Sequence, residues 1–273
     1  MFAPRAIRTP SAARTKHLFP DGPSRLHWPR DMRLARTELG TGDPMLFLHG
    51  FPCTRWLWQP VMERIARAGF RCIAPDLLGY GESPAAEDVG MAAQVPHLLA
   101  LLDEFKLEKV DLIAHDVGTA AAQLVALEHP QRLKRLVLID GVYETEWAMD
   151  AIASIRIWDA EKASRLQPLL TRRLRPIRPL LAAYAGDEGG KRLIHAARCL
   201  DPSQTQGATA RLREIGLPIR VVWGAQDEYL PLQTIGRPLA AGLGVDVIAV
   251  DGGHFLPLDN PEGAANAILE FHP

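Results

Sequence analysis

Leu112-Ile113-Ala114-His115-Asp116-Val117-Gly118 is an apolar run that stops at a histidine and an aspartate, and residues 117–128 then carry apolar side chains at helical spacing. A strand that runs directly into a helix must turn sharply. The residue at such a turn is lifted clear of the backbone at the carboxyl edge of a sheet, where open α/β folds bind their ligands. Asp116 stands at that position. Side chains beside the turn collide unless they are small, and the flanking residues are Ala114 and Gly118. The free N–H groups of the helix that starts at Val117 point back at the turn, where they favour an ionised carboxylate and, later, an oxyanion.

Outward from this stretch, short apolar runs recur at residues 45–48, 71–74, 110–114, 136–139, 219–223 and 245–250, most of them followed by a loop and a helix-period segment. Such alternation predicts a mainly parallel sheet with helices on both faces. Residues 25–28 and 33–39, separated by Pro29, Arg30 and Asp31, read as an antiparallel hairpin ahead of it. A helical pattern lies around 235–241, and an amphipathic helix over 261–271 ends the chain.

Residues 141–216 carry no strand pattern. Their segments rich in Arg, Leu and Ala (162–175, 179–185 and 190–200) predict a helical insertion over the sheet. The expected organisation is therefore a flexible tail at 1–24, a core made of 25–141 and 217–273, and a helical cap at 142–216. The tail holds Arg5, Arg8, Arg14 and Lys16 among Ala, Ser and Pro, with no acid before Asp21. This composition resembles a transit peptide but reads more simply as a loose terminus.

A chain of 273 residues, 47% hydrophobic, is long enough to bury a full core. With 31 Lys and Arg against 32 Asp and Glu, there is no net field to draw nucleic acid or an anionic membrane. The expected partners are a small hydrophobic molecule and water, with the protein itself a monomer or homodimer. Cys53, Cys72 and Cys199 have no paired spacing, which argues against a disulfide framework or zinc site and fits a reducing cytoplasm. No apolar run approaches the roughly 20 residues of a membrane span, and no secretory signal pattern is present.

The elbow is one of several motifs: His49-Gly50-Phe51-Pro52, Trp58, Asp76-Leu77-Leu78-Gly79-Tyr80-Gly81-Glu82-Ser83, Trp223-Gly224-Ala225-Gln226-Asp227 and Gly252-Gly253-His254-Phe255. In this order and spacing they resemble the α/β-hydrolase fold superfamily, from about residue 32 to the end. The resemblance implies a mostly parallel, eight-stranded sheet flanked by helices, with the helical cap inserted after strand 6. An acid at the elbow is similar to the branch holding epoxide hydrolases, haloalkane dehalogenases and haloacetate dehalogenases. It implies Asp116 as nucleophile, His254 as general base, and Asp227 as the acid that orients His254, with Asp140 after the run at 136–139 as the alternative acid. The backbone N–H groups of Phe51 and Val117 would form the oxyanion hole.

The residue types suit that chemistry. A serine attacking an sp³ carbon would leave an inert ether, whereas a carboxylate leaves an ester that water can open. The plainer readings are a helix N-cap for Asp116 and a structural histidine for His254. His49 and His115 are expected to be structural hydrogen-bonders.

Leaving-group recognition decides the substrate. Epoxide hydrolases share the His-Gly-Phe-Pro loop and use two lid tyrosines, and the candidates here are Tyr143, Tyr184 and Tyr229, although residues 193–198 hold none. Haloalkane dehalogenases place a tryptophan and an asparagine or tryptophan where this chain has Val117 and Phe51. Haloacetate dehalogenases place arginines near Val117, Thr119, Ala120 and Ala121. Trp147, Trp158 and His195 remain as candidate halide donors. Epoxide opening of a small hydrophobic substrate is the favoured reading. The alternatives are a haloalkane or haloacid dehalogenase, an ester or lactone hydrolase, and a non-catalytic small-molecule receptor on the same fold. No cofactor or metal is implied, since there is no Gly-rich phosphate loop and no His/Cys cluster.

Overall fold

The computed structural model describes residues 33–159 and 180–272. The expected tail at 1–24, the first half of the hairpin at 25–28, and the expected helix at 162–175 lie outside the described residues. A seven-stranded sheet forms the centre, with strands β1 (Arg36–Leu39), β2 (Asp43–Leu48), β3 (Phe70–Pro75), β4 (Val110–His115), β5 (Leu133–Ile139), β6 (Ile219–Gly224) and β7 (Val247–Val250). Their order across the sheet is β1-β3-β2-β4-β5-β6-β7. Only β1 runs antiparallel to its neighbour, with Arg36 opposite Pro75 and Leu39 opposite Cys72.

Seven strands are found among the described residues where eight were expected, and the long connection follows the fifth of them, not the sixth. Residues 36–39 of the expected hairpin pair antiparallel with β3. The β2–β4–β5 centre reads as continuous apolar sequence because helices cover both its faces, and every residue of β4 is buried.

Helix α1 (Gln59–Arg67) packs with the C-terminal helix, whose start at Pro261 matches the sequence pattern but which stops at Leu269. Helix α2 (Met91–Glu104) packs with α3 (Gly118–Glu128), the helix of the elbow. The run Gly118-Thr119-Ala120-Ala121-Ala122 in α3 is wholly buried; such small side chains let a helix lie close to the strands beneath it.

Between β5 and β6 come α4 (Met149–Arg156), α5 (Gly186–Cys199) and α6 (Ala208–Ile215). Helices α4 and α5 pack together, and Arg156 Nε donates to the Ala197 carbonyl at 2.9 Å while Arg198 Nε donates to that of Arg156 at 2.8 Å. Helix α5 is also tied to the loop after β3, through Arg192 to the carbonyls of Gly81 and Ser83 at 2.7 and 3.1 Å. Helix α6 falls within the range expected for the cap, yet it packs on α3 and on α7 (Arg237–Leu243) beside the sheet.

Candidate functional site

Asp116 sits at the end of β4 with φ of 52°. A non-glycine residue held there is strained by roughly 1–3 kcal/mol and needs its surroundings to fix it. Its carbonyl accepts from Thr119 N at 2.9 Å and Thr119 Oγ1 at 2.6 Å, and the same hydroxyl accepts from Val142 N at 3.0 Å. The elbow is crowded on both sides. A Cβ on Gly118 would strike the His49 carbonyl, and one on Gly50 would strike the Asp116 carboxylate. Glycine at both positions is what allows the loop after β2 to approach the turn.

That approach places Phe51 N 2.8 Å from Asp116 Oδ2, to which it donates, and the backbone N–H of Val117 favours the charge of the carboxylate. Asp116 is buried. Burial pushes its pKa up to about 6, against the opposing pull of His254 and the two amides.

His254 enters from the loop after β7. Its Nδ1 lies 2.9 Å from Asp227 Oδ2, and its Nε2 lies 3.7 Å from Asp116 Oδ1. The other oxygen of Asp227 accepts from Tyr229 N and Leu230 N, both at 2.8 Å. The Asp227 carboxylate is therefore fixed by its own turn, and Nδ1 of His254 is set as the donor to it, leaving Nε2 to face Asp116. Burial opposes a charge on His254, but the bond to Asp227 and the charges of Asp227, Asp116 and Asp140 outweigh it and raise its pKa to about 9.

This arrangement belongs to a known architecture: the family pattern for the alpha/beta hydrolase fold matches residues 43–261. The chain is an α/β hydrolase. An epoxide hydrolase of Caballeronia sordidicola is 43% identical over 101 residues, 36% of this chain and 31% of that protein, so the match spans about a third of the relative's length. A 2-hydroxymuconate semialdehyde hydrolase of Pseudomonas sp. (strain CF600) is 28% identical over 256 residues, 86% of this chain and 90% of the relative. Among solved structures, a thermophilic esterase from Thermogutta terrifontis aligns with a TM-score of 0.70 at 27% identity, covering 87% of this chain and 92% of the esterase.

His49 and His115 of this α/β hydrolase serve its backbone, as their sequence context implies. His49 Nδ1 donates to the Gly50 carbonyl at 2.9 Å and its Nε2 accepts from Leu77 N at 3.0 Å; burial holds its pKa below the usual value. His115 Nε2 donates to the His254 carbonyl at 2.6 Å. Burial, with the neighbouring His254, keeps it well below the usual histidine range.

Asp140 does not meet His254. It is fully buried with φ of 44°, and its Oδ1 accepts from Gly224 N at 2.6 Å. Burial and the charge of Asp227 push its pKa well above the carboxylate range. Of the two candidate acids, the structure brings Asp227 to the histidine.

The leaving-group candidates divide sharply. Trp147 is buried, and its Nε1 donates to Glu144 O at 3.0 Å and Thr205 Oγ1 at 2.8 Å. As a candidate halide donor Trp147 has its N–H engaged within the segment. His195 Nε2 is engaged with the Ala86 carbonyl at 3.0 Å, again a bond between segments. Tyr143 has its ring beside Gly242 of α7. Trp158 is buried and its carbonyl accepts from Arg198 Nη2 at 3.2 Å. Tyr229 lies tilted against the His254 ring, centroids 5.2 Å apart, and is exposed.

Tyr184 is buried in the 3-10 turn Leu180–Tyr184, its hydroxyl without a hydrogen-bond partner among the described residues. Tyr80 has the same character. It is fully buried, edge-on to His49 at 5.3 Å, with its hydroxyl also unpartnered. Sequence reasoning passed over it as a marker of the fold. The signal was its place in the loop after β3, which the topology lays beside that of His49. No group of three or more His, Cys, Asp or Glu able to hold a metal is found among the described residues, and no described helix is long and apolar enough to cross a membrane.

Proposed function

We propose that this α/β hydrolase forms a covalent ester on Asp116, hydrolysed by water that His254 activates, and that its reaction is the opening of an epoxide on a small hydrophobic substrate. The observation that carries this reading is the position of the Asp116 carboxylate, at the elbow, with Oδ2 on the Phe51 amide and Oδ1 facing His254 Nε2 at 3.7 Å. A carboxylate so held is fixed at one oxygen by the Phe51 amide and turns the other toward His254.

In the first step Oδ1 attacks an sp³ ring carbon, the carbon–oxygen bond of the epoxide breaks, and the released oxygen takes a proton. Esterification removes the negative charge of Asp116, one of the charges that hold the proton on His254, so His254 gives its proton up and becomes a base. In the second step neutral His254 takes a proton from water as the water oxygen attacks the carboxyl carbon of Asp116. The oxyanion develops on Oδ2, already bonded by Phe51 N–H and next to that of Val117; losing one such donor typically costs about 3 kcal/mol. Collapse expels the diol oxygen, which recovers the proton from His254, and the carboxylic acid of Asp116 returns its proton to the pair.

Two facts support an oxygen leaving group over a halide: Trp147 Nε1 and His195 Nε2 are engaged in the fold, while the buried hydroxyls of Tyr80 and Tyr184 have no hydrogen-bond partner among the described residues. The 43% identity to an epoxide hydrolase over 101 residues agrees with this reading.

The test is intact-protein mass of His254→Gln, in which the ester should persist, after mixing with styrene oxide and with short bromo- and chloroalkanes. A gain equal to the whole epoxide, mapped to Asp116, is expected. A gain of an alkyl group from the haloalkanes alone would make the protein a dehalogenase. No adduct with any member, in a variant shown to be folded, would remove the nucleophilic role of Asp116.

A further inference from the structure

His115 bonds the main chain of the residue proposed as base. Its Nε2 donates to the His254 carbonyl at 2.6 Å, across 139 positions of the chain, and both residues are buried. His115 is also the last residue of β4 and the one before Asp116. One side chain and one peptide bond therefore join the backbone of the proposed base to that of the proposed nucleophile.

The other hydrogen bonds of the His254 loop run elsewhere. Gly252 N donates to Gln226 Oε1 at 2.7 Å, and the Gly252 carbonyl accepts from Gln226 N at 2.9 Å. Gly253 N donates to Asp259 Oδ2 at 3.1 Å, and Nδ1 of His254 meets Asp227. These bonds fix the loop to the turn after β6 and to the helical turn Leu256–Asp259 that follows it. The elbow stands at the end of β4, with β5 between β4 and β6 in the sheet, and the bond from His115 crosses that gap.

The His115 ring is itself held firmly. Its backbone lies opposite Ile139 of β5. The ring is edge-on to the buried Trp58 ring, with centroids 6.4 Å apart, and tilted against that of His254 at 5.0 Å. Burial, with the neighbouring His254, favours the neutral form. A neutral imidazole carries one proton, and the carbonyl opposite Nε2 places it there; Nδ1 has no hydrogen-bond partner among the described residues.

We propose that His115 is a positioning residue: its Nε2–H sets the main chain of His254 against the elbow, and so keeps His254 Nε2 at its working distance from the Asp116 carboxyl. That distance is 3.7 Å to Oδ1. A reacting group misplaced by about 1 Å loses on the order of 10²-fold in rate. The loss falls on ester hydrolysis, where His254 takes a proton from water, more than on ester formation, where Asp116 attacks while held by the Phe51 amide. The rate effects rest on the ester-forming role of Asp116; the bond itself does not.

The test compares wild type with His115→Gln, His115→Asn and His115→Leu. Glutamine carries its amide nitrogen as many bonds from the backbone as Nε2, asparagine only as many as Nδ1, and leucine has no donor. Rapid-quench mass measurement with styrene oxide gives the rates at which the Asp116 ester forms and is hydrolysed. Hydrolysis is expected to slow by about 10²-fold in the leucine and asparagine variants, with formation within about threefold of wild type and glutamine restoring hydrolysis to within about fivefold. The downfield NMR signal of the proton between His254 Nδ1 and Asp227 needs no substrate; it should persist in wild type and His115→Gln and broaden or vanish in the other two. Unchanged hydrolysis with the signal intact in all four would overturn the proposal. Equal slowing of both steps, or a glutamine variant no better than leucine, would also overturn it, because the ring would then serve packing alone. Should His115→Leu fail to fold, asparagine against glutamine reads the same difference. A wild type that forms no Asp116 ester would be the failure of the nucleophile reading, and the NMR comparison would still decide the role of the His115 bond.

Discussion

Asp227 holds His254 with one carboxylate oxygen and its own backbone with the other: Oδ2 is 2.9 Å from Nδ1, and Oδ1 accepts the Tyr229 and Leu230 amides at 2.8 Å. Replacing the carboxylate by an amide keeps the size but removes the charge that fixes the Nδ1–H tautomer. Asp227→Asn is expected to slow hydrolysis of the Asp116 ester by roughly 10³–10⁴-fold and to affect ester formation far less. Asp140→Asn, whose oxygen meets Gly224 N rather than the histidine, should slow hydrolysis by less than tenfold. Rapid-quench mass measurement of the ester separates the steps, and a reversed order of the two variants would move the acid to Asp140.

Ester formation requires ionised Asp116, whose pKa burial has raised to about 6. The single-turnover alkylation rate should fall tenfold per pH unit below about 6. His254 pulls that pKa down, so in His254→Gln the limb should move to higher pH. A limb at the same pH in both proteins would mean that another group titrates.

The folded state holds the proton on His254 more tightly than the unfolded chain does, with a pKa of about 9 against the ordinary 6.5. Its contribution to stability is complete below pH 6.5 and is lost as pH rises through 9. Thermal melts of the wild type should show a midpoint falling across that window, and His254→Gln should flatten the fall. A parallel decline in both would assign the pH dependence elsewhere.

Trp147→Phe removes a buried N–H from Glu144 O and Thr205 Oγ1. The expected result is a loss of roughly 1–3 kcal/mol in denaturant unfolding, with the ratio of epoxide to bromide alkylation unchanged. A changed ratio would return Trp147 to the leaving group.

The alternation of apolar runs and helical patterns, and the turn at 114–118, are short-range features, and they determined the α/β class, the elbow and the position of Asp116 from sequence alone. The Gly-Gly-His loop likewise marked His254, because a residue at a strand end is exposed at the carboxyl edge whatever lies elsewhere. What the spacing left open was where side chains point. Asp140 and Asp227 both follow strands, and only the packing of β5, β6 and the loop after β7 turned one toward Gly224 N and the other toward His254 Nδ1. Trp147 was an available donor in sequence, and a threonine 58 residues away uses it. Tyr80 and Tyr184 are 104 positions apart in the chain, and both hydroxyls are buried without a hydrogen-bond partner among the described residues. Hydrogen-bond direction is decided by which distant backbone groups are brought within about 3 Å, and that is a property of the assembled layers, not of any local run of residues.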